Sequence, residues 1–383
     1  MSIYLDYNAS APIDNRVLET MVDVYKNNVG NADSRTHEYG DSARRIVEKS
    51  RQQIASLLGI NKDEVFFTSG ATESNNIAIQ GLKEYGIKIN KKHIIISSIE
   101  HKAILLAAKS LEKFDFDIQL IHPQKDGRVD VNDIVNCIRE DTLLVSVMHA
   151  NNETGIIQPV KEIGEYLKDK DVFFHIDATQ TCGKLVEEIR ELNYDMMSIS
   201  AHKLQGPQGI GALILKKKIF RLPPISPLFF GGQQEHGIRP GTIPVALTAG
   251  FGKACEIAES EYINNIEHCK KIKTILLEQL NNSKLNFKIN GDISYCMPNS
   301  INISLIGVSS EALMLSSKQY CGISNGSACN SNNYSPSHVL VSMQLTEDEL
   351  KSAIRISWGH DIDIDEFKNQ FQMLLDTAKL LVF

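Results

Sequence analysis

Three short stretches of this sequence gather residue types that do chemistry. In Phe66-Phe67-Thr68-Ser69-Gly70-Ala71-Thr72-Glu73-Ser74-Asn75-Asn76, an apolar run gives way to small residues and then to a helix-compatible pattern. Glycine lets the backbone approach closely, and free N–H groups at a helix start favour an anion such as phosphate. A plain strand-to-helix turn capped by Thr72 fits the same letters. In Phe173-Phe174-His175-Ile176-Asp177-Ala178-Thr179-Gln180, an apolar strand ends in an acid with an amide soon after it. A carboxylate at the carboxyl end of a parallel strand sits where open α/β sheets bind ligands and can hold a proton on a heterocyclic nitrogen; a helix-capping aspartate is the alternative. The third stretch, Met196-Met197-Ser198-Ile199-Ser200-Ala201-His202-Lys203 and then Gly206-Pro207-Gln208-Gly209-Ile210-Gly211, sets a lysine just past a buried strand, beside a histidine and a glycine-rich turn. Such a desolvated, electropositive setting lowers an amine pKa and permits Schiff-base chemistry, with Ser200 and His202 as phosphate donors. A solvated loop lysine is the competing reading.

Groups of this kind need strands that end side by side. Short apolar runs at Val65–Thr68, His93–Ser97, Leu143–Met148, Val172–Ile176, Met196–Ile199 and Gly211–Leu215 alternate with helical stretches such as Ser42–Leu58 and Pro159–Leu167. That rhythm predicts an α/β domain with a mostly parallel sheet covered by helices on both faces. After about Gly250 the texture changes to a long helical pattern, Phe251–Leu280, then a strand at Ser300–Leu305, a helix at Ser309–Ser317, a strand at Ala353–Ser357 and an amphipathic helix at Ile364–Leu381. A smaller α+β domain is expected there.

The 383 residues, 42% hydrophobic and 23% charged, suit a soluble chain of two domains. No apolar run reaches a membrane span, and the opening MSIYLDYNASAP shows no secretory signal, so a cytoplasmic location is expected. A formal charge of −7 argues against nucleic-acid binding through phosphates. The seven cysteines form no CxxC pair and no metal-ligand spacing with histidine, which predicts neither a disulfide framework nor a metal site. Packing explains a cysteine among apolar neighbours, as at Cys137 and Cys255. It does not explain Cys329, set in the small polar run Ser327-Ala328-Cys329-Asn330-Ser331-Asn332-Asn333.

Taken in order, these stretches resemble the cysteine desulfurases, within the fold type I pyridoxal-phosphate enzymes. The resemblance runs nearly end to end through LDYNASAP, GNADSRTHEYG, FTSGATESNN, IEHKAIL, MHANNETGIIQP, HIDATQ, SAHKLQGPQGIGAL, GGQQEHGIRPGT, SNGSACNS and AIRISWG. It implies a large cofactor-binding domain over residues 14–250, and a small domain formed by residues 1–13 and 251–383 that carries the catalytic cysteine. Lys203 is similar to the lysine that carries the cofactor, Asp177 to the acid on its ring nitrogen, and Gln180 and Asn152 to the residues that hydrogen-bond the ring hydroxyl and line the substrate side. Ala71 (through its backbone), Thr72, Ser200 and His202 resemble the phosphate cradle, and Thr242 the threonine that reaches the neighbouring subunit's phosphate, which implies a homodimer. His101 resembles the ring-stacking histidine that moves protons, and Arg355 the clamp on the substrate carboxylate; their bland readings are a surface histidine at a helix start and a salt-bridged arginine. Cys329 is expected to take sulfur from L-cysteine as a persulfide and pass it to an acceptor protein serving iron–sulfur assembly, tRNA thiolation or DNA phosphorothioation. Selenocysteine lyase, an aminotransferase and a non-catalytic binding protein of the same fold are the alternatives. Two departures stand out: Ala201 where the family usually has glycine, which should be tolerated, and His236 where arginine is commoner. The chain stops at Phe383 soon after its last helix, without the longer tail some family members use to dock a scaffold protein, which weakens the expectation of iron–sulfur scaffold docking.

Overall fold

The computed structural model describes residues 2–218, 221–325 and 336–382. Its strands are β1 (Ile3–Tyr4), β2 (Val65–Thr68), β3 (His93–Ser97), β4 (Asp117–Ile121), β5 (Thr142–Ser146), β6 (Phe173–Asp177), β7 (Met196–Ser200), β8 (Gly211–Leu215), β9 (Phe287–Ile289), β10 (Ser300–Leu305), β11 (Cys321–Gly322) and β12 (Ala353–Ser357). Seven of them form one sheet in the order β2-β8-β7-β6-β5-β3-β4. All neighbours pair in parallel except β8, which runs antiparallel to both β2 and β7. Because β8 reverses twice, β2 again points the same way as β7, and its carboxyl end joins the others at one edge.

The sheet is buried on both faces, which is why its strands read as continuous apolar runs. Successive residues serve opposite sides: Ile95, Val145, Phe174 and Met197 join one apolar cluster, while Ile94, Ile96, Leu144 and Met196 join the other. The first cluster is covered by helices Glu38–Leu58, Val160–Leu167 and the start of Val245–Asn282, the second by Ala71–Gln80 and Lys102–Ser110. Each fully buried large apolar side chain stabilises this packing by about 1.5–3 kcal/mol.

Three details differ from the sequence expectation. The run expected as a strand at Leu143–Met148 pairs as Thr142–Ser146, and the N–H of Met148 leaves the ladder to donate to the Glu100 carboxylate at 2.7 Å. The edge strand β4, largely exposed, was not expected; in place of an apolar run it has the alternation Phe116-Asp117-Ile118-Gln119-Leu120. The long helix starts at Val245, just after Pro244, and extends to Asn282. Cys255 is buried as expected, but Cys137 is only half-buried at the end of a short helix.

The C-terminal part builds a three-stranded antiparallel sheet, β12-β10-β9, on helices Ser310–Ser317 and Ile364–Leu380, with β1 pairing in parallel with β11. Its apolar cluster, around Trp358, Phe367 and Phe371, is separate from those of the large sheet. No helix among the described residues is long and apolar enough to cross a membrane.

Candidate active site

At the carboxyl edge of the parallel strands an open cavity of about 650 Å³ is lined by all of the predicted site residues except Thr242 and Cys329. Thr242 is exposed and lies outside the cavity; Cys329 falls outside the described residues. Asp177 ends β6, Ser200 ends β7, and a single turn beyond Ser200 brings His202 and Lys203 to the same edge. The β2 strand delivers the turn Ser69-Gly70 and helix Ala71–Gln80. Gly70 is the residue before that helix, with φ +152°, and has no side chain to cap it, so Thr72 is not the cap. Gly211 packs on it so closely that a Cβ there would meet the Gly70 Cα at 2.7 Å, and Ala71 and Thr72 at the helix start line the cavity. Ala201 is accommodated because Gly206, facing its methyl group, has none.

Asp177 is fixed from two sides, accepting from Asn75 Nδ2 at 2.8 Å and from the Thr179 N–H at 3.0 Å. The Arg355 guanidinium donates through Nη1 to the Asn152 carbonyl at 2.9 Å and through Nη2 to Asp6 at 2.6 Å. His101 caps helix Lys102–Ser110, its Nδ1 accepting from the Ala103 N–H at 3.1 Å; a neutral ring therefore carries its proton on Nε2.

The wall that side-chain reasoning missed is the N-terminal segment. Asn8 and Ala9 offer their carbonyls to Lys203 Nζ at 2.5 and 2.6 Å, the Asn8 carbonyl also accepts from Gln180 Nε2, and Ser10 Oγ meets His202 Nδ1 at 3.1 Å. The signal was there in LDYNASAP, but peptide carbonyls carry no residue-specific mark. Beneath the floor, the buried Glu100 accepts from Ser97 Oγ and Met148 N, and its carboxyl is pushed up to about 8 by burial.

Electrostatics set the amine apart. Desolvation first, then the Lys184 and Arg355 cations, lower Lys203 to about 7, with Asp6 and Asp177 opposing. His202 is lowered to about 4 by desolvation and the Lys203 and Lys184 cations. The His101 ring opens to the cavity, yet the surrounding walls desolvate it enough to hold its pKa below the ordinary histidine value.

Comparison with known proteins agrees with this geometry. The aminotransferase class-V family matches residues 3–369. A probable mitochondrial cysteine desulfurase of Dictyostelium discoideum is 39% identical over 385 residues, spanning 99% of this chain and 85% of the relative. The chain belongs to the cysteine desulfurases. A solved NifS-like protein, 34% identical, superposes with a TM-score of 0.91 over 100% of both chains. The structure of SspA in complex with cysteine, also 34% identical, superposes with a TM-score of 0.81 over 92% of this chain and 98% of that one.

Enzymes of this family depend on pyridoxal phosphate, and the residues present fit that group. Asn75 Oδ1, Thr179 Oγ1 and Gln180 Oε1 are buried polar atoms without a partner among the described residues, all on residues around the cavity. Buried polar atoms are normally satisfied, so three together call for a polar ligand. The helix start suits its phosphate, the Asp177 carboxylate its ring nitrogen, and the desolvated Lys203 amine its aldehyde.

Proposed function

We propose that this cavity desulfurates L-cysteine with the residues named from the sequence, Lys203 holding pyridoxal phosphate and Cys329 receiving the sulfur. The observation that carries the reading is the meeting of a low-pKa lysine, a doubly held aspartate and a carboxylate-binding arginine at one edge of the sheet. Ala71 through its N–H, Thr72, Ser200 and His202 would hold the phosphate, Asp177 the ring nitrogen, and Gln180 and Asn152 the ring hydroxyl and substrate side. Once bound, the cofactor supplies an electron sink for the bonds of the substrate's α-carbon. Arg355 holds the α-carboxylate. With a pKa of about 7, Lys203 is partly free base at neutral pH and moves the α-proton, and His101 moves protons from the opposite wall. The Cys329 thiolate attacks the substrate sulfur: the C–S bond breaks, an S–S bond forms and the carbon takes a proton. One cysteine and one enzyme thiol become alanine and an enzyme persulfide, with all atoms and electrons accounted for.

The described residues on either side of 326–335 lie at this wall, which supports the role proposed for Cys329. Ser324 pairs with Arg355, Ser337 Oγ donates to Glu153, and His338 Nε2 contacts the Glu100 carbonyl at 3.0 Å. A homodimer in which Thr242 enters the partner's cavity is supported by its exposure here and by the exposed aromatic pair Phe229 and Phe230, the latter 91% accessible. An acceptor protein would then take the sulfur. Separate apolar clusters support a large and a small domain, but Phe251, Ala254, Cys255, Ile257 and Ala258 pack with the large sheet, so the division expected at 250 falls further along the helix.

Two experiments test the reading. Cys329→Ala should keep the yellow cofactor complex while alanine formation from cysteine is lost; undiminished turnover rules out the role. Borohydride reduction of the wild type should fix the cofactor on the peptide containing Lys203, and a label anywhere else overturns the assignment.

A further inference from the structure

Arg355 already has a carboxylate on it. Its Nη2 donates to Asp6 Oδ1 at 2.6 Å in an ion pair whose side chains are only 7% and 20% exposed, so water screens it little. Nη1 is committed to the Asn152 carbonyl, and Nε is buried with no partner among the described residues. Asp6 itself cannot drift. Its carbonyl accepts from Tyr4 Oη at 3.0 Å and from the Ala9 N–H at 2.9 Å, and its backbone bridges to Ser357, two residues beyond Arg355 on β12. The other nearby acid, Glu153, accepts from Ser337 Oγ. A substrate carboxylate approaching Arg355 therefore meets a guanidinium that is aimed by one anion and partly neutralised by it.

We infer that Asp6 is a positioning residue that sets how tightly the cavity holds an α-carboxylate: it aims the Arg355 guanidinium and competes with the amino acid for its charge. The inference rests on the reading above that Arg355 binds the carboxylate. Its consequence lies in turnover. L-Cysteine and L-alanine carry the same α-carboxylate, so an arginine without a counter-anion would grip product as firmly as substrate, and binding shared equally by ground and transition states does nothing for the chemical step. A built-in competitor keeps that grip loose enough for alanine to leave.

The sign of the effect makes it testable. Asp6→Asn keeps an acceptor for Nη2 and removes the charge. The probe is 3-mercaptopropionate, which has the carboxylate and thiol of cysteine but no amine to react with the cofactor, and its Kd for the holoenzyme is measured by calorimetry. Asp6→Asn should bind it about tenfold more tightly, the scale of one charge-assisted contact, and the inhibition constant of L-alanine should fall in proportion. A variant merely damaged in structure could only bind more weakly. Should Asp6→Asn lose the yellow cofactor complex, Asp6→Ser, smaller but still an acceptor, is read in the same way. Arg355→Ala separates the two claims: if it abolishes probe binding while Asp6→Asn binds with unchanged or weaker affinity, the inference falls and the arginine assignment stands. If Arg355→Ala binds normally, the arginine assignment fails and the inference with it.

Discussion

Lys203 is set apart less by its own chemistry than by what surrounds it. Burial is the largest cause of its low pKa and the Lys184 cation the next. On the proposal that Lys203 carries pyridoxal phosphate, the apoenzyme captures it with the free amine, so the capture rate should rise with pH through a midpoint near 7. Replacing Lys184 by Gln removes a charge that disfavours the protonated amine, so the Lys203 pKa rises and the midpoint moves to higher pH. Stopped-flow absorbance of cofactor addition across pH measures this, and an unmoved or lowered midpoint contradicts it. Lys203, Asp177 and Arg355 were legible because each type has few reasons to stand at the end of a buried strand or inside one. Asn8 and Ala9 were not, because they act through carbonyls that every residue has. Nor was Asn75, whose grip on Asp177 spans 102 positions of sequence and depends on how a helix packs against a strand end. Glu100 stands in the IEHKAIL stretch beside His101, and nothing local shows that it is buried.

Among the connections that hold the site's elements, one buried ion pair does more than its sequence suggests. Glu235, at φ +47° in the segment leading to Thr242, accepts from both terminal nitrogens of Arg51 at 2.7 and 2.9 Å and from the Phe67 N–H at 2.7 Å. It thereby ties helix Glu38–Leu58 and strand β2 to the Gly-Gly-Gln-Gln-Glu-His run. Arg51 and Glu235 are 13% and 2% exposed, so removing the acid leaves a nearly buried cation with only the more exposed Glu48 carboxylate, at 3.3 Å, to compensate it. Glu235→Ala should cost about 3–5 kcal/mol in urea unfolding, where an exposed pair such as Arg45–Glu38 would cost under about 1 kcal/mol. A loss that small for Glu235→Ala would show that the pair is replaced by other contacts. The strands and helices themselves were largely readable, because burial on both faces forces apolar runs and the helices carry apolar stripes. The antiparallel course of β8 was not, since pairing direction leaves no periodic mark, whereas β4 carried a signal that went unread, the alternation Phe116-Asp117-Ile118-Gln119-Leu120.

The molecule's two halves share one rigid element. Helix Val245–Asn282 places Phe251, Ala254 and Cys255 in the cluster of the large sheet, and Ile272, Leu276 and Leu280 in that of the C-terminal sheet. The change of texture near Gly250 was visible in sequence, yet any boundary there lies inside this helix, because a continuous backbone hydrogen-bond ladder does not register which core a side chain enters. The segment carrying Asp6 and Asn8 crosses between the halves as well: Asp6 meets Arg355 of β12, while the Asn8 carbonyl meets Lys203 beside β7. The Arg355 and Lys203 walls of the cavity thus belong to different cores, and their spacing depends on the helix that joins them. Ile263 lies between the two sets of buried residues and is 62% exposed, so Ile263→Pro removes no core contact. It does delete a ladder hydrogen bond and clashes with the carbonyl of Glu259, at about 3 kcal/mol or more. With the spine broken there, calorimetry should resolve two unfolding transitions in place of a tighter one, and KM for L-cysteine should rise as the Arg355 and Lys203 walls lose their register. A single transition with unchanged KM would mean that the contacts across the cavity, and not the helix, hold the two halves together.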